Sequence, residues 1–173
     1  MDIANPFETF QKSAFRLEAL PQYLVEGEVD AFNEFRLSGK ILENIDSDWS
    51  ATVSKNVGAG KLMKRLRLLS DELSDYEKFE TEIYTGPKAG EEIRVNSRSK
   101  YINDYKYDFW MFDEQWLMQM NYRNDGTFID FDLRKATDQE IVMYRFWFSV
   151  FETSRPLSEL SPDIMNSRNL RSE

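Results

Sequence analysis

Apolar and polar side chains alternate most regularly in residues 107–133, and the pattern there predicts three consecutive β-strands. In residues 116–122, Trp116, Met118, Met120 and Tyr122 fall on one side, and Leu117, Gln119 and Asn121 on the other. This period of two marks a half-buried strand. Asn124-Asp125-Gly126 follows, and Asp-Gly supplies the positive φ angles of a tight hairpin. Ile129, Phe131 and Leu133 then alternate with Phe128, Asp130 and Asp132. Ahead of both, Phe109-Trp110-Met111-Phe112 is apolar on both sides, as in a strand covered on both faces. Asp113-Glu114-Gln115 makes the first turn. The segment reads as an antiparallel meander.

The rest of the chain alternates in type. Asn5-Pro6 opens a short helix over residues 7–13. Residues 14–20 set Phe15, Leu17 and Ala19 against Arg16 and Glu18, which predicts a strand ended by Pro21. Helical spacing appears over 25–37, stopped by Gly39, and over 49–57, capped by Asp48 and ended by Gly58-Ala59-Gly60. Residues 61–69 form a strand with Leu62, Lys64, Leu66 and Leu68 on one face and Met63, Arg65, Arg67 and Leu69 on the other. A helix over 73–84 carries the capping box Ser74-x-x-Glu77 and is closed by Gly86-Pro87. A short strand over 92–96 completes a strand–helix–strand crossover, which makes its two strands parallel. The tyrosine-rich loop 97–106 is expected to pack down.

The last strong element is a helix over 137–152, opened by the box Thr137-x-x-Glu140. Only Arg145, Ser149 and Glu152 form its polar stripe, narrower than a surface helix shows. Such a helix is buried against the sheet, or one side of it meets a partner through Arg145, Trp147, Phe148 and Phe151. A homodimer is one form of that contact. Residues 155–173 are polar, contain two prolines, and read as a flexible tail behind a single domain at 1–154. The predicted class is α/β of the α+β kind: one mixed sheet, a βαβ crossover followed by a three-stranded antiparallel meander, packed by helices.

Composition narrows the chemistry. The 173 residues include 41% hydrophobic and 14% aromatic side chains, enough for a core. Lys and Arg number 22 against 31 Asp and Glu, a net charge of −9. Direct nucleic-acid or anionic-membrane binding is therefore disfavoured without a local basic patch. No apolar run reaches the ~18 residues of a membrane span, and no basic-then-apolar leader begins the chain. A cytoplasmic location is expected. With no Cys and no His, thiol nucleophiles, His-based triads and Cys/His zinc sites are excluded. No cofactor and no bound metal are predicted. Gly58-Ala59-Gly60-Lys61 lacks the first glycine and the Ser/Thr of a phosphate loop, and reads as a helix end.

Three constellations carry chemistry. The strand ending at Leu69 runs into a helix start, whose free N–H groups and dipole favour an anion. Arg94 and Arg98 follow on the parallel partner strand, at the edge where open α/β sheets bind ligands. Ser70, Ser74, Arg94 and Arg98 could hold a phosphate or carboxylate, with Asp113 reaching the rim. Asp71, Glu72 and Asp75 oppose this by satisfying the dipole. The second constellation is Lys61, Lys64, Arg65 and Arg67, too dilute for a nucleic-acid patch and better read as solvated strand faces. The third is carboxylate chemistry. Asp130 and Asp132 share one strand face, with Asp108, Asp113 and Asp125 at strand ends. Such pairs could bind Mg²⁺ or act as acid and base, but more often keep a strand edge soluble.

The phrases FRLEAL (residues 15–20), LLSDELSDYEKFE (68–80), AGEEIR (89–94), YDFWMFDE (107–114) and NDGTF (124–128) resemble, in order and spacing, a family of small, mainly actinobacterial proteins known as a domain of unknown function. The resemblance spans roughly residues 14–151. It departs where family members commonly show a proline and this chain has Leu73 after Glu72. The resemblance implies no established enzymatic role. It implies a regulatory or interaction role beside helix-turn-helix regulators, and a likeness to half of a phospholipase-D-like fold, non-catalytic for want of histidine. The leading expectation is a non-enzymatic regulatory domain that binds a protein partner or a small anionic ligand. A carboxylate-based, Mg²⁺-assisted enzyme is the alternative, and a nucleic-acid-associated regulator the weaker one.

Overall fold

The computed structural model describes residues 5–24, 27–41, 45, 47–85 and 90–160. Seven strands form one mixed sheet: β1 (Ser13–Glu18), β2 (Leu62–Leu69), β3 (Glu92–Ser97), β4 (Asp108–Phe112), β5 (Trp116–Tyr122), β6 (Phe128–Lys135) and β7 (Arg155–Pro156), in the order β6-β5-β4-β1-β2-β3-β7. The helices are α1 (Pro6–Thr9), α2 (Val29–Ser38), α3 (Ser47–Gly58), α4 (Asp75–Thr85) and α5 (Asp138–Thr153). β1, β2 and β3 run parallel; β4 pairs antiparallel with β1 and begins the predicted meander. The mixed sheet, the crossover through α4 and the meander therefore stand as read from the pattern. The helix stop at Gly86-Pro87, the helix start at Val25 and the tail beyond 160 lie outside the described residues.

Period-two alternation sorts the strands onto two layers. Phe15, Leu17, Leu66, Leu68, Phe109, Met111 and Leu117 face α5 and pack on Tyr144, Trp147, Val150 and Phe151. Ala14, Met63, Trp110, Phe112 and Met118 face the other way, onto Val53 of α3 and Phe10. The capping box at Thr137 and Glu140 is formed as predicted.

The predicted interface on α5 divides. Trp147 and Phe151 are each only 1% exposed and belong to the core, so they are unavailable to a partner. Phe148 is half-buried beside Phe15, and Arg145 is exposed. The outer apolar side chains of α5 are instead Val142 and Phe146. The tail reading also needs correction. Arg155 and Pro156 pair with Val95 and Arg94, and Leu157 is buried, because the edge of β3 would otherwise expose a row of unpaired backbone groups.

Two turns differ from expectation. Positive φ angles fall on Asp113 and Glu114 (53° and 56°), whereas in the second hairpin only Gly126 adopts one. Gly126 is indispensable for a further reason: a Cβ there would lie 2.3 Å from the carbonyl oxygen of Gln22. Its own carbonyl accepts from the N–H of Leu24 at 2.9 Å. The hairpin tip thus clamps the segment after β1 and sets the position of Tyr23.

Candidate functional site: a buried polar centre

The edge predicted to hold an anion is already filled by the protein itself. Glu77, fully buried, accepts from the backbone N–H of Ser70 and of Ser74, both at 2.8 Å. Ser74 Oγ in turn accepts from Glu77 N–H and donates to the Pro21 carbonyl. The carboxylate of Glu77 therefore occupies the helix N-terminus that an external anion would need. Arg98 does reach Ser70, Nη2 to Oγ at 3.1 Å. Arg94 is held elsewhere, by Glu92 at 2.8 Å and by the carbonyl of Glu152 at 2.7 Å at the C-terminus of α5. Asp113 is at the opposite end of the sheet, because Ser13 starts β1 and pairs with the first residue of β2. Its carboxylate accepts the N–H groups of Gln11, Lys12 and Ser13 at 2.7–3.0 Å and anchors the entry to β1. A cleft of about 630 Å³ remains at the carboxyl edge, lined by Ser70, Asp71, Asn96, Ser97 and Lys100 among others. Asp71 accepts hydrogen bonds from Ser97 and Ser99, which hold its carboxyl below the usual range.

The more concentrated chemistry lies on the face of β1, β2 and β4 turned toward α3 and α4. Arg65 and Arg67 are 6% and 1% exposed, not solvated. The register places Arg16 beside Arg65 and Glu18 beside Arg67, so four charged side chains meet on two neighbouring strands. Glu18 is the hub. It accepts from Arg65 Nη1 at 2.6 Å, Arg16 Nε at 3.2 Å and the Tyr84 hydroxyl at 3.0 Å. Asp108, at the start of β4, accepts from Arg16 Nη2 at 3.2 Å, from the N–H of Ala19 at 3.1 Å and from the hydroxyls of Tyr105 and Tyr23. Arg67 donates to Glu80 of α4 at 2.6 Å, and Arg65 to Glu91 at 2.9 Å. Two buried nitrogens, Arg16 Nη1 and Arg67 Nη2, have no hydrogen-bond partner among the described residues. Most buried polar atoms are paired, so these two donors set the cluster apart from the rest of the described interior.

Above this layer is a partly enclosed cavity of about 220 Å³. Its described lining is Glu18, Glu28, Glu80 and Arg65, with the rings of Tyr23, Trp49, Tyr76, Phe79, Tyr84 and Tyr122 and the side chain of Ile83. Arg65 sits within 6 Å of the ring centres of Trp49, Tyr84 and Trp110, so its charge is shared among aromatic faces.

Burial drives the ionisation of these groups apart. Burial would raise Glu18, but Arg65, Arg16 and Arg67 outweigh it and hold the carboxyl down to about 2. At Glu80 burial wins over Arg67, and the carboxyl is pushed up to about 7. Burial also raises Asp108, against Arg16 and the tyrosine hydroxyls. Carboxylates driven apart inside a cavity are a mark of functional sites.

The sign of the pH effect follows. A folded protein that holds the Glu80 proton more tightly than the unfolded chain gains from it fully below about 4.5, and loses that gain as pH rises through about 7. Glu18 acts oppositely: its contribution is present above about 4.5 and lost as pH falls toward about 2. Glu80→Gln keeps a neutral, hydrogen-bonding side chain. We expect it to remove a decline on the order of 3 kcal/mol between pH 5 and 8, measured by denaturant titration. An identical slope in the variant would refute this assignment.

The residue pattern identified the strands and their faces but not this centre. The signal that points to it is the set of family-like phrases. FRLEAL contributes Arg16 and Glu18; SDYEKFE contributes Tyr76, Glu77 and Glu80; AGEEIR contributes Glu91; YDFW contributes Asp108 and Trp110. These phrases are far apart in the chain and converge on one face of the sheet.

The fold and this site define an α+β domain with a charged, aromatic-walled centre under one layer of helices. The model of the family described as a domain of unknown function (DUF6879) matches residues 1–160, and the chain belongs to that family. No curated protein matches it. Among solved structures, one similar chain is that of TrmBL2, an archaeal chromatin protein described as showing a novel mode of DNA binding. That likeness has a TM-score of 0.42 and 12% identity, and covers 86% of this chain and 46% of the other. The chain thus spans under half the length of that structure. Among the described residues, no helix is long and apolar enough to cross a membrane, and no group of three or more Asp or Glu side chains comes together to hold a metal ion.

Proposed function

We propose that this chain is a non-enzymatic, ligand-binding regulatory domain whose small-molecule ligand sits in the cavity between β1–β2 and α4. One observation supports this above the rest: a cavity walled by six aromatic rings opens directly onto a buried charge cluster. Small-molecule sites combine apolar walls with a few convergent polar groups in this way. Stability alone does not call for such a cluster, because buried ion pairs replaced by apolar groups of similar volume often leave proteins equally stable. The carboxyl-edge site around Ser70 is the lesser choice, since Glu77 neutralises its helix end.

The test is a thermal-shift screen of amines, nucleosides, sugar phosphates and carboxylates on the full chain. A true ligand raises Tm by mass action. Ile83→Trp, which fills the cavity from α4, is expected to abolish the shift. The indole N–H of Trp49, which donates to Glu91 at 3.0 Å, gives a second readout by NMR. If no compound moves that resonance or produces an Ile83-dependent shift, the proposal is wrong.

A second reading, acid–base catalysis, draws on Glu80 alone, because a carboxyl near 7 suits proton transfer at neutral pH. Turnover of a bound compound that disappears in Glu80→Gln while binding persists would replace regulation with catalysis.

A further inference from the structure

The charge of the ligand can be read from the lining. We infer that the cavity takes a small organic cation, an ammonium or amidinium group on a compact apolar body. This rests on the cavity being the ligand site, and it reverses the expectation of an anion.

Among the described lining residues, Glu18, Glu28 and Glu80 stand against Arg65 alone. Arg65 has little to offer an anion. Its Nε and Nη2 already donate to Glu91, and its Nη1 to Glu18 and the Tyr84 hydroxyl. Arg16 and Arg67 are not among the described residues that line the cavity. Glu80 is different. Its Oε2 is held by Arg67, but among the described residues its Oε1 accepts only a long bond of 3.3 Å from Tyr84, at the weak end of the useful range. Glu80 therefore lines the cavity with a carboxyl oxygen that has acceptor capacity to spare.

The walls point the same way. Ring faces carry partial negative charge, and a cation near several of them is stabilised by each, more so when desolvated. Size sets the body of the ligand. A cavity of about 150 Å³ holds benzene, so one of about 220 Å³ has room for a ring or short branched chain plus one cationic group.

Benzylamine, benzyl alcohol and benzoate keep one frame and change only its charge. Titration of the full chain by calorimetry, with the Trp49 indole followed by NMR, is expected to show benzylamine binding at least roughly tenfold tighter than either of the others. Glu80→Gln is expected to erase most of the margin between benzylamine and benzyl alcohol. The wild-type series alone decides the sign of charge if the variant fails to fold. Benzoate or benzyl alcohol binding as tightly as benzylamine, with the same Trp49 response, overturns the cation and leaves the site standing. Silence from all three, while other compounds give an Ile83-dependent shift, also overturns the cation alone. Silence from these and from the wider screen removes the site as well.

Discussion

Replacement of Glu18 by alanine is expected to destabilise the fold by about 3–5 kcal/mol, the cost of leaving buried charges without their partner. Among the described residues, Glu18 is the one carboxylate that touches both Arg16 and Arg65, and each of those guanidinium groups is almost fully buried. Its removal leaves Arg16 with Asp108, and Arg65 with Glu91, in a layer water does not reach freely. The Tyr84 hydroxyl loses its better acceptor at the same time. Against a typical total stability of roughly 5–15 kcal/mol, this is a large fraction. Glu18→Gln should cost less, because one amide oxygen still accepts a bond from Arg65. Urea titrations at pH 7 would measure both. A loss under about 1 kcal/mol for alanine would mean that the centre is open to water and the burial argument is wrong.

Trp147→Ala is expected to cost a similar amount, about 3–5 kcal/mol. Trp147 is the largest fully buried side chain of the protein and fills the space between α5 and the sheet, edge-on to Tyr101 and Phe146. Phe146→Ser, one residue away on the outer side of the helix, is expected to stay within about 1 kcal/mol, since Phe146 is 41% exposed. The contrast separates core from interface along one helix. Equal and small effects from both substitutions would show that Trp147 serves a surface rather than the core.

Much of this fold was legible in the residue pattern. Alternation in 62–69 assigned Met63, Arg65, Arg67 and Leu69 to one face, where Met63 packs on Val53, Arg65 and Arg67 meet Glu91 and Glu80, and Leu69 joins Ile93 and Val95. The capping boxes at Ser74 and Thr137 both form. Apolar coverage of 137–152 predicted a buried helix, and Tyr144, Trp147, Val150 and Phe151 are buried. These features are local: they depend on which side of a strand or helix a side chain leaves, and periodicity records that directly.

The candidate site was not legible in the same way. Arginines alternating with leucines look alike on a solvated face and on a buried one. The difference comes from α4, which lays Glu80 against Arg67, and from β4, which brings Asp108 to Arg16. Both partners are distant in sequence, and nothing near Arg67 announces them. Asp113 was misplaced for a related reason. Its distance from Ser70 depends on β4 running antiparallel to β1, so that the end of β4 meets the start of β1, a pairing that sequential neighbours do not specify.

The elements, the two faces of each strand and the mixed sheet follow from short-range periodicity and capping, which the residue order carries directly. Three buried arginines, the seat that Glu77 fills in place of an anion, and the aromatic rings from four segments around Glu18 and Glu80 arise only once the chain has packed. Burial and charge pairing are properties of what packs against a face, and that is set by the whole chain.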